Sequence, residues 1–324
     1  MAPAIGYAFS AACLIWVFWG VDIGQILNDF ASLDWRYVTI AVIFDLGVYV
    51  CHGWRWSIVL QPVARTSVWR SIQAVYIGLF VNEVLPLRPG ELIRCYLASH
   101  WNRITLSLAL ASAAIERLMD GFWLVLAFVL TATRMPGLPP YLQDGAQVMG
   151  IALCVLTGLL IYIVSRRAWL ENAIRQHRWS GPIQHLLEGL SAMGNKKTMI
   201  AAAGASLLYL VLQIVPIWAL AEGYGIGLSV WASAVVLVIL RLGTVIPNAP
   251  GNVGSFQFFV VLSLGLFGVD KTTAAGFSLM MFGVLTLPLL IGGLIAVLLS
   301  GLNLEEVRKR AHRTLHGPVV AGEN

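Results

Sequence analysis

Runs of roughly 18 to 30 apolar residues recur along this chain, each long enough to cross a bilayer as a helix. That feature decides the solvent. In lipid, only helices or closed barrels satisfy every backbone N–H and C=O group. The runs are continuously apolar and do not alternate, which argues against the barrel. Charged residues are 11% of the 324 positions, against about 25% in water-soluble domains, and mean hydropathy is +0.79. The expected fold class is all-α, a polytopic helical membrane protein. The net charge of +5 reads first as a topology signal, because Lys and Arg collect in cytoplasmic loops. Nucleic acid is not an expected partner, since no soluble domain is read to carry it. Cys13, Cys51, Cys95 and Cys154 form no C-x-x-C pair, so neither a zinc site nor a disulfide framework is suggested.

Two breaks organise the apolar runs. Val81 to Arg94 reads VNEVLPLRPGELIR, and Val245 to Gly251 reads VIPNAPG. Both contain P-x-x-P-G, which no helix passes through. With 13 Pro and 31 Gly in the chain, that pattern is expected about 0.05 times by chance, so two copies half a chain apart suggest a repeat.

In order, Ala4–Val21 is the expected first span, retained because no basic n-region or cleavage site marks it as a signal peptide. An acidic outer loop follows with Asp22, Asp29 and Asp34. Tyr37–Trp56 is the second span, and Arg55, Arg65 and Arg70 then mark a cytoplasmic loop. Ser71–Leu85, the break and Glu91–Trp101 make a hairpin too short and too polar to span. Ile104–Thr133 spans outward and Val148–Val164 returns. Residues 166–197 form a basic cytoplasmic loop, lying on the membrane surface or solvated. Met199–Ala221 leads to a second hairpin, Leu228–Ile246 and Val253–Gly268, and Thr272–Ser300 is the last span. This divides the chain into residues 1–145 (hairpin 71–101), 146–304 (hairpin 228–268) and a basic cytoplasmic tail, 305–324. About six full spans and two re-entrant hairpins result. Each half crosses three times, so the second must be inverted, an arrangement in which paired breaks mark a transporter's substrate site. The termini are expected in the cytoplasm.

Asn82, Glu83, Pro86, Arg88, Gly90, Glu91 and Arg94 cluster at the first break. Arg241, Asn248, Gly251, Ser255 and Gln257 do so at the second. Arginine forks suit phosphate, and helices restarting after each Pro-Gly point free N–H groups inward. The alternative is that the arginines only neutralise Glu83, Glu91 or Glu116. Glu116, Arg117 and Asp120 share a helix face within the membrane, where an unpaired carboxylate is costly. They form an ion-pair network or take a direct role. Asp45, midway along the second span, is a further buried acid, and Asp45, Glu83 and Glu116 are candidates to relay protons. The six histidines, His52 among them, read as surface or loop residues. No nucleophile–base pair and no phosphate-cradling lysine loop appear, so neither an enzyme nor a cofactor is expected.

The runs GLFVNEVLPLRPGELIRCYL, AIERLMDG and PNAPGNVGSFQ resemble the flippase-like transmembrane family of lysylphosphatidylglycerol synthase, over nearly the whole chain. The resemblance implies functional positions at Asn82, Pro86, Arg88, Gly90, Glu91, Arg94, Glu116, Arg117, Asp120, Pro250, Gly251 and Gly254. Where the family often carries Glu, this chain has Gln257, and Asp45 lies outside the pattern. No counterpart of the soluble aminoacyl-transferase domain is expected after the last span, so only the lipid-translocating half is implied. The expected function is a flippase or scramblase of the bacterial cytoplasmic membrane, acting on an anionic or phosphate-bearing phospholipid or polyprenyl lipid. Two other classes stay open. One is a membrane-embedded transferase whose Glu83, Glu91, Glu116 and Asp120 hold Mg²⁺. The other is an assembly subunit.

Overall fold

The computed structural model describes residues 2–85, 88–134, 139–165, 193, 195–244 and 248–301. The expectations for Pro86, for most of the basic loop 166–197 and for the tail 305–324 lie outside the described residues. Among the described residues every regular element is helical. The helices are α1 (Ala2–Phe18), α2 (Ile23–Ala31), α3 (Trp35–Leu60), α4 (Val68–Val84), α5 (Gly90–Asn102) and α6 (Leu106–Arg134). Then come α7 (Pro140–Ser165), α8 (Lys196–Gly223), α9 (Val230–Gly243), a 3-10 turn (Pro250–Asn252), α10 (Ser255–Gly265) and α11 (Lys271–Leu299). Helices α3, α8 and α11 are long and apolar enough to cross a bilayer. Helix α6 matches them in length, with 29 residues, but carries three charges in its middle. The protein is an all-α polytopic membrane protein.

Both breaks fall where proline and glycine stop the helix. Helices α4 and α5 have 17 and 13 residues, and α9 and α10 have 14 and 11, all below the roughly 20 needed to span. The order long, short, break, short, long therefore occurs twice, in α3–α6 and α8–α11. Packing exchanges between the sets: α4 lies on α11, while its counterpart α9 lies on α6, and the two leading long helices α3 and α8 pack together. Gln73 Nε2 donates to the Ala296 carbonyl at 3.0 Å and ties α4 to α11. A main core joins Val17, Ala41, Ile217, Leu237, Val260 and Phe277, from six helices.

Two expectations are corrected. The acidic stretch after the first span is not a plain loop. Residues 23–31 form α2, whose axis bends 82° from α1. Asp22 caps it, accepting from Gly24 N at 2.8 Å and Gln25 N at 3.2 Å, and Asp34 caps α3. These acids satisfy helix ends as well as marking a side of the membrane. The second span does not stop at Trp56 either: α3 runs on to Leu60, which moves Arg55 from a loop into a buried helix.

The first break also has a tight joint. Gly90 N donates to Asn82 Oδ1 at 2.7 Å, closing α5 back on α4. A Cβ at Gly90 would overlap the Gly78 carbonyl oxygen and lie 2.6 Å from Asn82 Oδ1. Gly90→Val is expected to destabilise the protein by at least about 3 kcal/mol, as overpacking against backbone does at its upper end. A thermal melt of the purified protein checks it; an unchanged melting temperature would refute the joint.

Candidate functional site

The polar side chains form two adjoining groups, one sealed at its centre and one open to a cavity. The first group joins side chains of α3, α5 and α6. Arg55 on α3 and Glu116 on α6 are 0% exposed, and Arg94 on α5 is 2% exposed. Arg55 Nε lies 3.1 Å from Glu116 Oε1, and its two Nη atoms fork onto Asp120, Nη2 at 3.3 Å. Arg94 Nη1 lies 2.9 Å from Glu116 Oε2, and Nη2 lies 2.8 Å from Glu91 Oε2. Arg117 reaches Glu91 at 3.5 Å and Asp120 at 3.6 Å. Three arginines thus meet three carboxylates, and the formal charge closes to zero. The guanidinium of Arg55 lies 4.6 Å from the Tyr209 ring centroid, and that of Arg94 lies 4.8 Å from the Trp56 ring.

Two members of this group were missed in the sequence. Arg55 sits before a short apolar run, Ser57 to Leu60, that continues its helix, and that run was the available signal. His52 is 1% exposed, and its Nε2 accepts from Arg94 Nη1 at 3.1 Å. It is a core residue of the network, not a surface histidine. Its i, i+3 spacing to Arg55 placed both on one helix face. Nothing in the sequence said that Glu116 would face them.

The open group lies at the two breaks. A cavity of about 250 Å³ is bordered by Arg88, Arg117, Asp120, Tyr209, Gln213 and Arg241, among others. Arg88 crosses from the first break to the second. Its Nη1 donates to the Thr244 carbonyl at 3.2 Å, and its Nη2 bonds Asn252 Oδ1. Arg241 donates to Gln213 Oε1. Both arginines are exposed, and neither has an acid within ion-pair distance among the described residues. Their charge therefore faces the cavity uncompensated at contact range. Arg88 and Asn252 both hold positive φ, at 51° and 55°, a conformation uncommon for residues with a Cβ.

The remaining predicted residues shape the breaks. Glu83 sets its carboxylate against Gly251, where a Cβ would lie 3.2 Å from Oε2; Gly251 itself has φ 66°. Asn248 Nδ2 donates to Ser255 Oγ at 3.0 Å, and Ser255 Oγ donates to the Asn252 carbonyl at 3.0 Å. Gln257 Oε1 accepts from Gly254 N at 2.7 Å. Asn82 and Gln257 thus play matching parts, each with a side-chain carbonyl on the amide where a helix restarts. Among the described residues no group of three or more His, Cys, Asp or Glu is placed to hold a metal. Of the four acids considered for Mg²⁺, Glu91, Glu116 and Asp120 are each paired with arginine, and Glu83 has no ion pair among the described residues.

A family model described as lysylphosphatidylglycerol synthase TM region matches residues 4–312. Among similar proteins, a UPF0104 membrane protein of Methanocaldococcus jannaschii is 23% identical over 85% of this chain and 87% of its own. A UPF0104 membrane protein of Methanothermobacter thermautotrophicus is 23% identical over 85% of this chain and 86% of its own. The glycosyltransferase AglD of Haloferax volcanii is 22% identical over 90% of this chain and 54% of its own. No solved structure matches the chain.

Proposed function

The chain belongs to the family of the lysylphosphatidylglycerol synthase transmembrane region, and from that membership we propose that it moves a lipid with an anionic, phosphate-bearing headgroup across the membrane. The observation that carries this reading is the exposed pair Arg88 and Arg241 at the cavity between the two breaks, without an acid at contact range. A guanidinium presents paired N–H donors to phosphate oxygens. The headgroup occupies the cavity while the apolar chains stay in lipid. The two hairpins open it in turn to either side, as paired broken helices do in inverted-repeat transporters. On this reading both termini and residues 166–197 are cytoplasmic, in the membrane of a bacterial cell. Single-cysteine labelling from each side checks that; labelling of the tail from outside would remove the inverted arrangement.

Reconstitution tests the function. Proteoliposomes holding the purified protein are expected to move a phospholipid or polyprenyl-phosphate probe between leaflets at least tenfold faster than empty vesicles. A second reading has one observation behind it, the similarity to a glycosyltransferase, although 46% of that relative lies outside the match. If no probe moves and product forms from a lipid-linked sugar donor, the transferase reading replaces transport.

A further inference from the structure

We infer that Asp45 is a proton-binding site that couples lipid movement to a proton gradient. The coupling rests on the transport reading; the site rests on the burial of one carboxylate without a partner. Asp45 is the eleventh residue of α3, about 15 Å along the helix, and it is buried. Its Oδ2 has no hydrogen-bond partner among the described residues, and no cation lies within ion-pair distance. Every other acid in the neighbouring network is held by arginine. An isolated carboxylate at membrane depth is costly, and a bound proton removes that cost.

Tyr49, one turn on, faces Asp45. The Tyr49 hydroxyl directs its own proton to the Leu285 carbonyl on α11, at 3.2 Å. That proton is spent on a backbone carbonyl, and Oδ2 of Asp45 stays without a donor among the described residues.

The other groups around the pair come from several helices. Tyr76 on α4 packs its ring 5.4 Å from Tyr49, and Glu83 on α4 acts on Tyr49 across space. Tyr209 on α8 does the same. Helix α11 carries no titratable side chain beyond Lys271 at its start. Glu116, Arg117 and Asp120 of α6 are engaged with Arg55, Arg94 and Glu91, and Arg134 lies at its far end over Trp231. Arg241 on α9 is the cation within electrostatic reach of Asp45, and it also borders the cavity.

Arg241 therefore links two anions. With Asp45 ionised, the arginine's field is shared with the carboxylate. With Asp45 protonated, the whole charge is available to phosphate. Phosphate in the cavity favours the proton on Asp45 and, by reciprocity, the proton favours phosphate. Headgroup and proton then cross together. The chemistry is simple binding: one proton joins the carboxylate on the acidic side and leaves it on the other.

Infrared spectroscopy of the purified protein tests the site without any substrate. A carbonyl stretch of a protonated carboxylic acid is expected at neutral pH, lost on raising the pH and lost in Asp45→Asn, but retained in Glu83→Gln. In Arg241→Gln its disappearance is expected at higher pH, because the nearby positive charge is gone. Absence of an Asp45-dependent band overturns the proton site, and an unmoved titration in Arg241→Gln overturns the coupling. In vesicles, an imposed pH gradient is expected to change the wild-type transport rate several-fold, and in Asp45→Asn that ratio falls to one. If the wild type moves no lipid, the transport reading fails while the spectrum still decides whether Asp45 holds a proton. A gradient response undiminished in Asp45→Asn overturns the inference directly.

Discussion

Arg94→Gln is expected to destabilise the protein by roughly 3–5 kcal/mol, the cost of breaking a buried pair and leaving a charge behind. Arg94 is 2% exposed and lies within 3 Å of both Glu116 and Glu91. Removing it leaves three carboxylates to two arginines, with Glu116 wholly buried. Adding Glu116→Gln restores the balance, with Arg55 and Arg117 still facing Asp120 and Glu91. The double variant is expected to regain most of the lost stability, and the coupling between the two changes measures their contact. Melting curves of the four proteins decide it. A stable but transport-dead Arg94→Gln protein would instead make Arg94 a headgroup ligand.

The opposite outcome is expected for Arg241→Gln. This residue is exposed, and its one hydrogen-bonded partner among the described residues is the neutral side chain of Gln213. Its loss strands no buried charge, so stability should change by no more than about 0.5 kcal/mol. Headgroup affinity should fall far more. Truncating one side of a desolvated, hydrogen-bonded charge pair costs about 2 kcal/mol or more, roughly a 30-fold loss. Transport at low lipid fraction, measured beside the melting temperature, gives the answer. A variant that melts like the wild type and transports like it would take the phosphate away from this cavity.

The contrast between these two arginines shows where sequence reasoning ends. Solvation alone determined the class of fold: the apolar runs admit only helices, and P-x-x-P-G stops a helix wherever it stands. The two breaks, the short helices beside them and the repeated order of long and short elements were all legible for that reason. The residues at the breaks were legible too, because charge within an apolar chain is rare enough to stand out. Their roles were not. Arg88, Arg94 and Arg241 look alike in sequence, each a cation beside a break. Only the packing of α5 against α6 brought Glu116 to Arg94, beside Glu91 of its own helix, and only the meeting of the breaks left Arg88 and Arg241 facing a cavity. Arg55 and His52 were misplaced for the same reason. A charge near the end of an apolar run reads as the edge of the membrane unless a partner on a distant helix neutralises it. Local pattern sets where a helix starts and stops. Which charges cancel depends on side chains up to 65 positions apart in the chain, brought within 4 Å only by the tertiary fold.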